Sequence, residues 1–254
     1  MANYFRHLLD LPIVIKYNYN KQLIVKEKYI MKLNQNTIET LKNFAGINTN
    51  ILIKQGDELS TISTMRNIFA KAKVSDNFAN EFGIYDLNEF LSAVSGFAKP
   101  ELSLQDKYMT ISSEGSKSKV KYFYSDPSVI VSPTKEVNMP EAEVTFSLSE
   151  SNYKELLKMA AILKSPDLAL IGTKGGDIVL KVCDKKNDTS NSFDIVVGQG
   201  ATADYTFYFK VENMKMLDGD YDVSVSSKSI SHFKHKKLPI EYWIALEPDS
   251  TITK

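Results

Sequence analysis

The chain has 254 residues of ordinary apolar content, enough for one large or two small globular domains, and it carries 31 basic and 31 acidic residues. That balance excludes a protein that grips nucleic acid through an evenly basic surface; lysines in such a role must gather on one side, with acids elsewhere. No apolar run reaches membrane-spanning length, and residues 8–15, broken by Asp10 and Pro12, make a poor span or signal peptide. The lone Cys183 allows no internal disulfide and suits a reducing cytoplasm. Its apolar alternation with Ile178, Leu180 and Val182 marks a buried small hydrophobe rather than a nucleophile.

Residues 1–30 are rich in Tyr, Asn, Lys and Ile and have no echo elsewhere. They are expected to be a disordered extension or a translated upstream segment, with Met31 a natural start. Residues 36–47 (NTIETLKNFAGI) predict an amphipathic helix, with Asn36 as N-cap, Glu39 three residues on, and Ile38, Leu41, Phe44 and Ala45 on one apolar face. Residues 51–84 predict strands with turns at 55–57 and 75–77. Asp86 caps a second helix whose Leu87, Phe90, Leu91 and Val94 share a face. Residues 101–124 alternate as strands around a turn at 114–116.

Residues 125–140 hold Pro127, Pro133 and Pro140, a density that opposes a central strand and predicts a linker. The apolar Val129, Ile130 and Val131 inside it either pack as an edge strand or line a groove for a partner peptide.

The second half repeats the plan. A strand at 144–148 leads to Ser149 as N-cap and a helix with Tyr153, Leu156, Leu157, Ala160 and Leu163 facing inward, stopped by Pro166. Laid on the first helix at a constant offset, Glu155, Leu157, Lys158, Ala161 and Leu163 match Glu39, Leu41, Lys42, Ala45 and Ile47. Residues 211–217 predict a short helix closed by Asp218 and Gly219, and residues 84–91 echo 209–216. Alternating strands finish the chain. The fold class is α+β: two similar β-rich domains, 31–125 and 143–254, each with two helices, joined by a linker at 126–142.

Most candidate chemistry fails on context. Gly198, Gly200 and Ala203 have the spacing of a dinucleotide turn, but a strand follows where a helix is required, so a hairpin turn is expected. Asp218, Asp220 and Asp222 open like a calcium loop, yet Val223 and Ser229 stand where Gly and Glu are needed. His232 and His235 sit among Lys234, Lys236 and Lys237, which opposes metal binding and suggests a surface loop. No nucleophile–base pair and no phosphate-binding loop is found, so no cofactor, metal or enzymatic step is expected.

What remains is a set of lysines: Lys42, Lys154 and Lys158 on helix faces, with Lys32, Lys210 and Lys215 beside them. Solvated helix faces commonly look like this. Basic and short-chained faces of this kind also suit approach to a phosphate backbone without base readout.

Six stretches, in order, carry a family resemblance: 31–33, 40–45, 84–88, 126–129, 212–216 and 245–251. Together they resemble the DNA polymerase sliding clamps of T-even-type bacteriophages, themselves similar to proliferating cell nuclear antigen, over 31–254. The resemblance implies a homotrimeric ring of two-domain subunits, lined by helices, that encircles duplex DNA and tethers the replicative polymerase. It implies that Lys32, Lys42, Lys154, Lys158, Lys210 and Lys215 face DNA. It also implies that Val129, Ile130, Val131, Ala245, Leu246 and Pro248 border the pocket for the polymerase's C-terminal peptide, with a late transcription factor as a further candidate partner whose site the sequence leaves open. An ATP-driven clamp loader would open the ring in the cytoplasm of the infected host, and no membrane is involved. The competing readings are a β-rich structural or assembly protein of the virion and a carboxylate hydrolase.

Overall fold

The computed structural model describes residues 29–253. The first half runs β1 (Ile30–Met31), α1 (Gln35–Ile47), β2 (Ile51–Ile53), β3 (Gly56–Ile62), β4 (Ile68–Phe78), β5 (Phe82–Ile84), α2 (Leu87–Ser95), β6 (Pro100–Leu104), β7 (Tyr108–Ser113) and β8 (Lys119–Phe123). The second half runs β9 (Val144–Leu148), α3 (Glu150–Leu163), β10 (Asp167–Gly172), β11 (Asp177–Cys183), β12 (Phe193–Gln199), β13 (Tyr205–Lys210), β14 (Tyr221–Ser226), β15 (Ile230–His235), β16 (Ile240–Ala245) and β17 (Thr251–Ile252).

One sheet lies within the first half (β1-β6-β7-β8) and one within the second (β12-β11-β10-β13-β17). A six-stranded sheet, β3-β4-β16-β15-β14-β9, draws on both, because β4 pairs antiparallel with β16 from Ile68↔Ile244 to Ala72↔Ile240. Its strands alternate. Ala70, Ala72, Tyr242, Ile244, Phe233, Tyr221 and Val223 are buried on one side, where α1 packs against β4. Ile62, Phe69, Trp243 and His232 stand in cross-strand register on the other side.

Several local expectations are corrected. Helix α1 is capped by Asn34, whose side chain accepts from the Asn36 amide at 3.0 Å, and not by Asn36. Glu39 is held instead by Gln35, at 3.1 Å one turn back. The turn expected at 75–77 is strand: the Asp76 carboxylate accepts the Asn34 amide (2.8 Å) and the Asn77 carbonyl accepts the Tyr29 hydroxyl (2.6 Å), which hold β4 extended to Phe78. Ile30, assigned to the extension, pairs with Ser103, so the folded chain starts before Met31; residues 1–28 of that extension lie outside the described residues.

The helix expected at 211–217 is a single 3₁₀ turn, Val211–Asn213. Buried tyrosine hydroxyls satisfy the backbone beyond it. Tyr153 donates to the Met214 carbonyl (2.9 Å), and Tyr242 accepts the Leu217 amide (3.1 Å). The two histidines are not in a loop but on β15. Cys183 is half-buried rather than in the core, out of phase with Ile178, Leu180 and Val182, and desolvation pushes its thiol pKa up. The caps at Asp86 and Ser149 form as expected, and the segment from Gly198 to Ala203 is the connection between β12 and β13.

Candidate nucleic-acid interface and partner groove

Two helices and one loop share the buried side of the six-stranded sheet. Asn43 of α1 donates to the Lys215 carbonyl (2.9 Å), and Tyr153 of α3 donates to the neighbouring Met214 carbonyl. The Met214–Lys215 loop therefore ties α1 to α3, and Lys42, Lys154, Lys158 and Lys215 lie exposed on these tied elements. Lys42 and Lys158 make no ion pair among the described residues. Lys154 is held by Glu150 at 2.5 Å and Asp218 at 3.0 Å, and its hydrogen bonds to these two acids, Glu150 first, raise its pKa.

Two lysines of the set stand elsewhere. Lys32 follows β1 and pairs with Glu101 (3.0 Å) and Glu114 (3.4 Å) on the first-half sheet; hydrogen bonds to these acids raise its pKa. Lys210 ends β13 with its ammonium 2.5 Å from Asp167, a carboxylate only 1% exposed. A buried carboxylate without its counter-ion is costly, so Lys210, a candidate for the DNA-facing set, also serves the fold through Asp167. The aspartates after residue 217 are also structural. Asp220 accepts the Glu150 amide at 2.9 Å, and Asp222 pairs with Lys236 at 3.3 Å. Among the described residues no cluster of three metal-ligating side chains occurs, and no helix is long and apolar enough to cross a membrane.

The opposite side of the sheet carries a cavity of about 480 Å³ beneath the linker. Phe69 and Trp243 form its apolar floor, their rings 5.0 Å apart, and Pro133 and Val137 of the linker form a wall. Lys54, Lys73 and Lys135 reach its rim without an ion-pair partner among the described residues. The residues expected at a peptide pocket do not line it. Ile130 and Leu246 are buried, Val131 and Ala245 are half-buried, and Val129 and Pro248 are exposed. Neither is the 129–131 stretch an edge strand. It follows a 3₁₀ turn capped by Asp126, and Val131 is fixed by Asn48 and Asn50 at 3.0 Å each. The alternation of β4 and β16 marks Phe69 and Trp243 as one row, but both flanking faces are apolar, which hides the outward one.

The comparisons fit this geometry. A family model described as DNA polymerase processivity factor matches residues 32–132, and one described as gp45 sliding clamp, C terminal, matches 145–248. The sliding clamp of Vibrio phage KVP40 is 34% identical over 223 residues, spanning 85% of this chain and 99% of the relative. That of Enterobacteria phage T4 is 30% identical, spanning 87% and 99%. Among solved structures, PCNA from Thermococcus kodakaraensis aligns with a TM-score of 0.65 at 10% identity, over 87% of this chain and 99% of that one. A. fulgidus PCNA, solved with the C-terminal region of FEN-1 bound, aligns with a TM-score of 0.64 at 12% identity, over 87% and 98%. At such identities these two show the fold, that of a processivity clamp. The chain belongs to the sliding clamp family of T4-like bacteriophages. Its function is that of a DNA polymerase processivity factor in replication, and the virion-scaffold reading is set aside.

Proposed function

We propose that three copies of the chain close head to tail into a ring around duplex DNA, each copy dividing into units 31–125 and 143–254 about the 126–142 linker. The observation that carries this reading is a pair of unpaired sheet edges, β8 in the first half and β12 in the second. Lys119, Lys121 and Phe123 are exposed on β8, and Asp194 and Val196 on β12, so the edges offer opposite charge and matching apolar groups. Exposed strand edges of this kind pair with another chain when nothing covers them. Lys42, Lys154, Lys158 and Lys215 would then line the hole and meet phosphates in a sequence-independent way, each weakly, so that enclosure rather than grip keeps the ring on DNA.

The groove over Phe69 and Trp243 is read as the seat of the replicative polymerase's C-terminal peptide, a site that a late transcription factor would share. The C-terminal region bound to A. fulgidus PCNA supports a mode of this kind. An ATP-driven clamp loader in the host cytoplasm would open the ring, and the clamp itself performs no catalytic step. Light scattering should give a trimer at micromolar concentration, and polymerase on primed DNA should become processive only with the loader present. A stable monomer, together with no polymerase stimulation, would sink the reading.

A further inference from the structure

Trp243, the chain's single tryptophan, is 8% exposed on the floor of the groove and is held from both sides. Phe69 on β4 lies at 5.0 Å and 37°. His232 on β15, its cross-strand partner, stacks nearly parallel at 4.5 Å and 19°. The imidazole is fixed in turn by Glu241 of β16, whose carboxylate accepts from Nε2 at 2.9 Å and which also lines the groove. His232 itself is not among the residues that line the cavity; it stands behind Trp243. The indole N–H is buried and has no acceptor among the described residues.

We propose that His232 is a positioning residue of the partner groove: anchored by Glu241, it holds the Trp243 ring in place before a partner peptide arrives. This inference rests on the groove being the peptide seat. An aromatic platform already fixed loses less side-chain freedom when a guest packs on it, which strengthens binding without any added contact.

The solitary tryptophan makes the idea measurable in the free protein. Time-resolved anisotropy of Trp243 emission reports its local motion, and a fluorescein-labelled synthetic peptide of the polymerase C-terminus reports affinity. His232→Ala should raise the fast depolarising motion of Trp243 and weaken peptide binding about threefold to tenfold. His232→Phe keeps a stacking ring without the Glu241 bond and should restore both only in part, the remaining deficit being the share due to the anchor. His232→Gln keeps a polar side chain without the ring and should behave like the alanine variant. Thermal unfolding of each variant guards against a purely structural effect, since a lost fold would lower the melting temperature of His232→Phe as well. Unchanged Trp243 motion or unchanged affinity in His232→Ala overturns the inference alone. Absence of peptide binding by the unaltered protein overturns the groove assignment, and the inference with it.

Discussion

The Tyr242 hydroxyl donates to the Asn43 amide oxygen at 2.8 Å across 199 residues of sequence, and this bond joins the first helix to the last long strand. Asn43 passes the link on to the Lys215 carbonyl, while the same hydroxyl accepts the Leu217 amide. Burial holds the Tyr242 phenol pKa well above its ordinary value, so it stays a donor through the whole physiological range. Tyr242→Phe strands the Leu217 amide and the Asn43 oxygen, and should cost about 1–3 kcal/mol of stability. Urea unfolding followed by circular dichroism checks this. An unshifted midpoint would mean that water replaces the hydroxyl at no loss.

The lysines divide by what they touch. Lys42→Glu with Lys158→Glu removes two cations that have no ion-pair partner among the described residues and should shorten loader-dependent synthesis while leaving the melting temperature within a few degrees, the deficit being largest at low salt and shrinking as salt rises. Full processivity in the double variant would remove both from the DNA-facing set.

Lys210→Met should act on the fold instead. It strips the counter-ion from Asp167, 1% exposed, although the Lys185 amide still donates to that carboxylate at 3.1 Å. A loss of about 3 kcal/mol is expected. A melting temperature equal to that of the unaltered chain would show that Asp167 does not depend on the pair.

Acid should loosen the C-terminal strap. The Lys185 ammonium, 2.7 Å from Asp249, holds that carboxyl pKa below its ordinary 3.8. A depressed folded-state pKa gives stability that is present above the unfolded value and lost as pH falls through the folded one. The contribution is therefore complete above about pH 3.8, the unfolded reference value, and declines below it, disappearing only beneath the lower folded-state pKa. Asp249→Asn should remove that part of the acid dependence, as read from urea midpoints at pH 5 and pH 3. Identical acid slopes in the two proteins would contradict it.

The proposed joint between copies is open to charge exchange. Lys119→Glu should weaken self-association about threefold to tenfold, and adding Asp194→Lys should restore it. Sedimentation across a concentration series gives both values. Failure of the second change to rescue the first would break the pairing of β8 with β12.

Helix caps and turns were readable where one side chain decides them, as at Asp86, Ser149 and the Glu114–Ser116 reversal. They were misread where distant groups decide. Asn34 displaced Asn36 as cap, Tyr29 and Asn34 straightened the strand past Ser75, and two buried tyrosines unwound the 211–217 segment. The repeat of Leu41, Lys42 and Ala45 in Leu157, Lys158 and Ala161 signalled the doubled plan correctly. The groove was not legible, because its floor joins strands about 170 residues apart and its wall is a linker with no periodicity.

The β4–β16 seam has a mechanical consequence. Five register pairs, Ile68–Ala72 against Ile240–Ile244, stitch the beginning of the chain to its end in one continuous sheet. Flexing a single copy about its linker would tear that ladder and uncover Tyr242. If copies close into the proposed ring, a gap wide enough to admit a double helix would form at a junction between neighbouring copies, with each copy moving as a stiff arc.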